Sequence, residues 1–388
     1  MFVFMLKGLL RRGGACLALA LLFSVGACGM LLLSGLLQAQ EDALNQTYEE
    51  TEIRCVVSNL RGTKTDGLSI PASYLDLCTK GDRHDFYQWV ERVCAKRTLS
   101  CTLDGLGEEL SLSGITFPEA APALLAENGG VIRYQNGYTE DIFQSDEPLC
   151  IVPYAFWLAM QAKDGDWDGE LTITFAGQAV TLRIAGVYES DLAGAAYCAY
   201  AFLDSILQDS AASTAESLSF YVKDTRTLGA FKREALKYFS EPLLTAEEKP
   251  MYFALTVQDG LFQQTVAQIE DNLFLLRLLL PALYAISVGI GFLASFLFAR
   301  GRTRDFAVMR SLGVTRLGVT RLVFMEQLVI GAFGCIAGTV AGVLLWGGAS
   351  GTLWSGALFV SCYLAGALAA VIWITKVSVM ALLQQMEE

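Results

Sequence analysis

The stretch Asp164-Gly-Asp-Trp-Asp-Gly169 is the closest match in this sequence to a metal-binding motif. Its alternating carboxylates resemble the first half of a calcium loop, but the twelfth position is Phe175 instead of the bidentate glutamate that completes such a site. Asp and Gly are also common turn residues. The pattern therefore favours a hairpin turn, and we expect no bound metal.

His84, the single histidine of the chain, lies between Arg83 and Asp85. A general base needs a partner within hydrogen-bond reach, and the sequence identifies none. The sequence also contains no G-x-x-x-x-G-K-[ST] loop, so it lacks that means of holding ATP phosphates. We expect no catalytic residue and no cofactor bound by this chain, with ATP and Mg²⁺ held by a partner subunit if they are used.

Six of the ten cysteines fall in residues 39–271. An even number of cysteines in an exported segment suits disulfides, and buried free thiols are the alternative. A zinc site is disfavoured because Cys94 and Cys101 do not form a C-x-x-C pair. The candidates for disulfides are Cys55, Cys78, Cys94, Cys101, Cys150 and Cys198.

Three stretches without a charged residue, 13–40, 278–299 and 327–375, predict how the rest of the chain is arranged. Because about 20 apolar residues cross a bilayer, these stretches predict four transmembrane helices, the last stretch supplying two joined by a short turn. The first stretch exceeds the roughly 7 to 15 residues of a signal-peptide core, which favours a retained anchor over a cleaved leader. Its continuation past Cys28 likewise favours a buried thiol over lipid attachment there.

Basic residues near the ends of the spans predict the orientation. Lys7, Arg11 and Arg12 precede the first span, six arginines lie between spans two and three, and Lys376 follows span four. With four spans these positions share one side of the membrane. We therefore expect a multi-pass plasma-membrane protein with both termini in the cytoplasm.

The predicted fold class is an α-helical membrane protein with four transmembrane helices and a mixed α+β extracytoplasmic domain inserted between helices 1 and 2. The predicted segments are a cytoplasmic N-terminal segment at 1–12, transmembrane helix 1 at 13–38, the extracytoplasmic domain with a final stalk helix at 39–271, transmembrane helix 2 at 272–299, a cytoplasmic loop with a coupling helix at 300–321, transmembrane helix 3 at 322–347, a short outer turn at 348–352, transmembrane helix 4 at 353–375 and a cytoplasmic tail at 376–388.

The outer segment, residues 39–271, carries 36 acidic and 17 basic side chains, a balance that excludes a nucleic-acid-binding surface. Its apolar residues alternate in some stretches and follow helical spacing in others, which predicts mixed α and β structure. The patterns indicate a hairpin at 170–188, strands at 53–58 and 217–223, and helices at 86–95, at 227–239 and from 258 into span two.

Span three has a stripe of small residues and one ionisable residue. The stripe lets another helix approach closely, and intrachain packing and dimerisation explain it equally well. Glu326 is costly inside a span unless it is paired or near the interface, so we expect an ion pair with the arginine loop, a role in coupling, or both. The helix-packing stripe is Gly331, Gly334, Gly338 and Gly342.

The run Arg304-Asp-Phe-Ala-Val-Met-Arg-Ser-Leu-Gly-Val-Thr-Arg316, followed by Glu326 and the glycines, resembles the C-terminal domain of FtsX-like permeases, the MacB type of ABC transporter. Outside the membrane, the resemblance extends to segments typical of the extracytoplasmic core of that family. These segments are 151–159, 165–166, 171–174, 184–188 and 220–224.

The resemblance implies a dimeric permease core that works with a separate cytoplasmic ABC ATPase. The second permease would be another copy or a paralogue, and membrane lipid would surround both. A coupling helix at Asp305–Thr315 would dock on the ATPase. The residues implied in ATPase coupling are Arg302, Arg304, Asp305, Arg310, Leu312, Gly313 and Arg316.

Three classes of function follow from these expectations. The first is a permease that exports or extrudes peptide, lipid or lipoprotein cargo. The second is a mechanotransmission permease that uses the same ATPase stroke to control a cell-wall hydrolase or a sensor kinase. The third is a membrane-tethered binding protein, which would need neither four spans nor a coupling loop.

Overall fold

The computed structural model describes residues 13–80, 85–103, 109–135, 137–163, 167–175, 178–192, 194–207, 214–239, 243–244, 250–251, 253–301, 303–346 and 352–376. It forms a helix unit, Met1–Thr47 with Gln264–Glu388, and a sheet unit, Tyr48–Gln263. Several predictions lie outside the described residues: the N-terminal segment 1–12, His84, Asp164, Asp166, Arg302, the outer turn through residue 351, and the tail after Lys376.

The helices are α1 (Gly13–Glu50), α2 (Ala72–Thr79), α3 (Tyr154–Lys163), α4 (Tyr200–Ile206), α5 (Leu228–Phe239), α6 (Gly260–Arg300), α7 (Thr303–Ser311), α8 (Arg316–Trp346) and α9 (Thr352–Lys376). The strands are β1 (Arg54–Asn59), β2 (Ile70–Pro71), β3 (Val90–Leu103), β4 (Glu109–Ile115), β5 (Val131–Tyr134), β6 (Leu149–Pro153), β7 (Glu170–Phe175), β8 (Gln178–Glu189), β9 (Ala196–Ala199), β10 (Thr214–Ala215), β11 (Ser217–Val222), β12 (Leu243–Leu244), β13 (Pro250–Met251) and β14 (Phe253–Val257).

Four helices of the described residues, α1, α6, α8 and α9, are long and apolar enough to cross a membrane. α1 and α6 contain 38 and 41 residues. At a rise of about 1.5 Å per residue, each exceeds the roughly 30 Å of a hydrocarbon core. The chain is therefore a membrane protein in which two of the long helices continue beyond the length of a span.

Within the helix unit, the predicted glycine stripe of α8 lies against α1. A Cβ atom at Gly338 would lie 2.5 Å from the Ser24 carbonyl oxygen and 2.8 Å from the Ala27 Cβ, and one at Gly334 would lie 2.6 Å from the Phe23 Cβ. Such approaches need residues without side chains. The stripe is used here for packing inside one chain.

The other two glycines of the stripe make looser contacts. A Cβ at Gly342 would meet Leu31 of α1 at 3.1 Å, and one at Gly331 would meet the Tyr363 ring of α9 at 3.1 Å. Gly366 of α9 lies against the backbone of α6 near Val288. α9 therefore packs on both α6 and α8, and glycines make these close approaches possible.

The sheet unit is built on a ten-stranded mixed sheet in the order β14-β1-β11-β3-β4-β9-β6-β8-β5. The tenth strand, β7, pairs with both β3 and β8. These pairings close a ring of six strands, β3-β4-β9-β6-β8-β7. Within it β4–β9 and β6–β8 are parallel and the other neighbours are antiparallel.

The core of the sheet unit has three parts. One apolar cluster collects side chains of the ring strands with Phe202 and Leu203 of α4. A second cluster includes Ile115, Phe143 and Tyr188. The third is aromatic, and its ring centroids lie 5.3 to 6.4 Å apart. The aromatic cluster consists of Tyr74, Phe86, Phe220, Phe231, Phe239 and Phe253.

The C-terminal end of α1 and the N-terminal end of α6 belong to the sheet unit and adjoin two neighbouring strands, β1 and the edge strand β14. β1 follows α1 in the chain, β14 precedes α6, and the two strands pair antiparallel. The Tyr48 ring contacts the Phe262 ring edge-on at 5.6 Å. Asp259, directly before α6, accepts hydrogen bonds from Lys232 Nζ and Gln263 Nε2. The end of α1 and the start of α6 are thus held side by side within this unit.

Most local predictions for the sheet unit are confirmed. The hairpin is β7–β8, the two strands are β1 and β11, and the helices near 227 and 258 are α5 and α6. The predicted helix at 86–95 is wrong, since Asp85–Trp89 forms a 3-10 helix and β3 begins at Val90. β3 lies between β11 and β4, so hydrogen bonding on both edges outweighs the helical spacing of its apolar residues.

We predict that Gly338→Ala destabilises the chain by about 1–3 kcal/mol, because its Cβ overlaps the backbone of α1. Gly289→Ala is the matched control, since a Cβ at Gly289 has no neighbour within 4 Å. Both substitutions raise helix propensity equally, so the difference between their melting temperatures in detergent isolates the packing. Equal melting temperatures would contradict the close α1–α8 contact.

Candidate functional site

The short helix α7 joins α6 to α8 and is anchored on the ends of the long helices. Phe306 is 5% exposed. Its cluster includes Val319 and Val323 of α8 and Val371 of α9, with Met309 packed against it. A nine-residue helix is only marginally stable by itself, so this apolar anchor holds α7 in place.

α7 ends in a Schellman motif. Gly313 has φ +93°, its N–H donates to the Arg310 carbonyl, and the Val314 N–H donates to the Met309 carbonyl. Both hydrogen bonds satisfy carbonyl groups that the end of a helix leaves open. Val314 also packs with Met309 on the same apolar cluster. The Leu-Gly-Val sequence thus stops α7 and turns the chain.

The next helix starts at once. Thr315 Oγ1 accepts a hydrogen bond from the Gly318 N–H at 3.3 Å, and the Thr315 carbonyl accepts one from the Val319 N–H. This is the arrangement expected of an N-cap threonine. The coupling helix predicted at Asp305–Thr315 is corrected by this turn: α7 begins at Thr303 and ends at Ser311, because Gly313 adopts a left-handed conformation.

The surface of α7 and the turn away from the anchor carries apolar side chains, basic side chains and one carboxylate. Val308 is 58% exposed and Leu312 is 79% exposed. Arg310 is half-buried, and Arg316 and Asp305 are exposed. α7 therefore contains three residues of the predicted coupling set, Arg304, Asp305 and Arg310, and the turn places Leu312, Gly313 and Arg316 directly after them.

A polar group of α8 lies deeper in the helix unit. Glu326 is 1% exposed, and neighbouring Gln327 is fully buried. Gln327 Oε1 accepts a hydrogen bond from Tyr363 Oη of α9 at 2.7 Å. Gln327, the residue after Glu326, therefore links α8 to α9 through a hydrogen bond that the sequence did not predict.

The six cysteines of the sheet unit are buried free thiols in the structure. Cys150 and Cys198 face each other on β6 and β9, and Cys101 belongs to the same apolar cluster. Burial raises the pKa of Cys55, Cys94 and Cys150 to about 12 in each case. These thiols are therefore neutral at physiological pH, which makes them poor nucleophiles and poor metal ligands.

The described part of the acidic stretch forms a turn. Asp168 Oδ1 accepts a hydrogen bond from the Glu170 N–H at 3.1 Å, and Gly169 has φ +81°. These are the contacts of an Asx turn leading into β7.

Comparison with known protein families finds one family that matches the C-terminal part of the chain. Residues 278–384 match the FtsX-like permease C-terminal family. The matched region contains 107 of the 388 residues and includes α7, α8 and α9. Glu326, the glycine stripe and the α7 turn therefore all lie in the FtsX-like region.

A solved structure offers a more distant likeness, to the extracellular domain of the noncanonic ABC-type transporter YknZ from Gram-positive bacteria. The identity is 13% and the TM-score 0.33, over 52% of this chain and 99% of that chain. No residue role is transferred through it. The search of curated proteins found no match.

Sequence reasoning missed several residues of this region. Phe306 and Met309 anchor α7, and Gln327 and Tyr363 connect α8 to α9. The glycine after Arg-Ser-Leu could have predicted the end of α7, since a helix often stops at a left-handed glycine. No comparable sequence signal pairs Gln327 with Tyr363, which are 36 residues apart.

We predict that Gly313→Ala destabilises the α7 turn by roughly 1–2 kcal/mol, the cost of a left-handed conformation for an L-residue. Gly313→Asn should destabilise the turn less, because asparagine adopts the left-handed backbone conformation more readily than alanine does. Amide hydrogen exchange across 303–316 measures the effect. Gly289→Ala is the helical control, because a Cβ there has no neighbour within 4 Å, and it should leave exchange in α7 unchanged; faster exchange in all three variants would contradict the Schellman turn.

Alkaline pH should destabilise the fold through the buried thiols. Burial raises the pKa of Cys150 to about 12 in the folded state, against an ordinary value of 9.0. Between these two values the unfolded state loses the thiol proton and the folded state keeps it. The free energy of unfolding is therefore unaffected below pH 9 and falls as pH rises toward 12. Each such thiol lowers stability by up to about 1.4 kcal/mol per pH unit in that window. Cys150→Ala should therefore melt closer to wild type at pH 10.5 than at pH 8, and a constant difference would contradict the shift.

Proposed function

We propose that this chain is the permease subunit of a MacB-like ABC transporter, driven by a separate cytoplasmic ABC ATPase that binds ATP and Mg²⁺. The observation that carries the proposal is α7, which Phe306 and Met309 fix to the bundle while Val308 and Leu312 point away from it. An exposed apolar ridge beside basic residues suits a partner with an apolar groove and an acidic rim. The FtsX-like match of this region supports the same reading.

In this proposal both termini and the α7 loop lie in the cytoplasm, and the sheet unit lies outside. Closure of the ATPase displaces α7. Because α7 is packed on α8 and α9 and follows α6 closely in the chain, its displacement moves the ends of these helices. α6 continues without interruption to Gly260, where Asp259 and Lys232 attach its start to α5. The stroke thus reshapes the outer unit and moves peptide, lipid or lipoprotein cargo.

The length of α1 and α6 also supports the second candidate, a mechanotransmission permease that controls a cell-wall hydrolase or a sensor kinase. Such a machine needs long connections and no path for cargo, and two helices of 38 and 41 residues that adjoin the paired strands β1 and β14 meet that need. In both cases the permease works as a dimer with a second copy or a paralogue.

We predict that Arg310→Glu and Leu312→Asp each weaken retention of the ATPase at least about fivefold, since central apolar and arginine contacts often contribute more than 1 kcal/mol. The measurement is co-purification of the full chain with candidate ATPases in detergent. The matched controls are Arg61→Glu and Leu60→Asp, which change exposed residues of the sheet unit.

Two outcomes would contradict the proposal. If the α7 variants retain the ATPase as well as wild type does, α7 is not the coupling element. If wild type retains no ABC ATPase from its own membranes, the membrane-tethered binding protein becomes the better assignment. Melting temperatures equal to wild type establish that the variants remain folded, as expected for the exposed Leu312 and the half-buried Arg310.

A further inference from the structure

An apolar groove lies in the helix unit where α1, α6 and α9 meet. It follows residues 22–30 of α1 and 283–290 of α6, and Phe359 and Tyr363 of α9 form its buried wall. The groove encloses about 270 Å³. None of the residues of α7 lines it, and Tyr363 is the one lining residue that takes part in the polar contact with Gln327.

The groove offers little to a polar occupant. Among the described residues that line it, the polar side chains already have partners inside the chain. Ser287 Oγ donates to the Tyr284 carbonyl at 2.8 Å, and Tyr363 Oη donates to Gln327. An apolar space without hydrogen-bonding groups does not hold ordered water. The chemistry of the lining therefore selects hydrocarbon.

The groove is too small to take in a whole helix. Residues 22–30 of α1 span about 12 Å along the helix axis, and an α-helix with side chains is about 10–12 Å in diameter. A helix is therefore larger than the 270 Å³ of the groove and would pack across its opening instead of inside it. One extended chain of methylene groups is narrow enough to fit along the groove.

The groove opens away from the bundle. Its rim residues Leu22, Val25 and Ile286 are 46%, 71% and 55% exposed. For helices that cross a bilayer, the medium outside these residues is lipid hydrocarbon. Gly29 keeps the groove open, because a Cβ there would have no neighbour within 4 Å. An acyl chain can thus enter sideways from the surrounding membrane.

We propose that this groove binds one acyl chain of a membrane phospholipid, inserted between α1 and α6 against Phe359 and Tyr363. Binding is driven by contact with the apolar lining and by filling of the space between the helices. The phospholipid headgroup remains outside the groove. This site goes beyond ATPase coupling and does not depend on the identity of the cargo.

The test uses the full chain in nanodiscs of phosphatidylethanolamine and phosphatidylglycerol that contain a trace of phosphatidylethanolamine with a diazirine on one acyl chain. After illumination, mass spectrometry of peptides locates the crosslinked residues. We expect labels concentrated on 22–30 and 283–290, above the level at other exposed apolar residues such as Phe333 of α8.

Gly29→Phe fills the groove without displacing backbone and should lower labelling of these segments about tenfold, the change that about 1.4 kcal/mol of lost binding produces. Gly289→Phe is the control, because Gly289 on α6 is equally open but does not line the groove. It should leave labelling at wild-type level.

Two results would overturn the site. Labelling that is uniform over all exposed apolar residues and unchanged in Gly29→Phe would show only the general lipid boundary. Efficient disulfide crosslinking between two copies of Val25→Cys, together with little lipid label on 22–30, would show that a second copy covers the groove. If Gly29→Phe melts far below wild type, Gly29→Leu provides the smaller filling side chain for the same comparison.

Discussion

The close approach of helices at glycine residues is the constraint on which the helix unit depends. Lipid provides no hydrophobic force between apolar helices, so their association relies on van der Waals contact. Gly334 and Gly338 bring α8 against the backbone of α1, and Gly366 brings α9 against α6. Once these contacts hold α8 and α9 in place, their ends provide the apolar surface on which Phe306 anchors α7. The geometry of the coupling region therefore follows from packing inside the bundle.

The same principle explains the groove. α1 approaches α9 closely at Gly26, where a Cβ would lie 2.8 Å from the Phe359 ring. One turn farther along, Gly29 has no neighbour within 4 Å, so α1 and α6 leave space between them. Glycine thus has two effects on α1. Gly26 allows α9 to approach closely, whereas Gly29 leaves an opening because no neighbouring helix lies near it.

The sheet unit is organised by strand pairing between residues distant in the chain. β7 connects the two sides of the six-strand ring because it pairs with β3 and β8 at once. The alternation of residues 170–188 was enough to predict β7 and β8 as a hairpin. It carried no information about β3, and the predicted helix at 86–95 failed for the same reason. Local spacing cannot report that two neighbours will form hydrogen bonds along both edges of a strand.

The pentapeptide Leu-Gly-Val-Thr-Arg occurs twice in succession, at 312–316 and 317–321. The two copies show which features the sequence determines and which the tertiary structure determines. Sequence alone determined the charge-free stretches, the four apolar helices and the glycine stripe, because these depend on local composition and period. Tertiary structure decided that the first copy is a turn with Gly313 left-handed, whereas the second copy continues α8 with Val319 buried. Identical residues adopt different conformations because Val314 packs beside Met309 on one side, and the Thr315 cap starts a helix on the other.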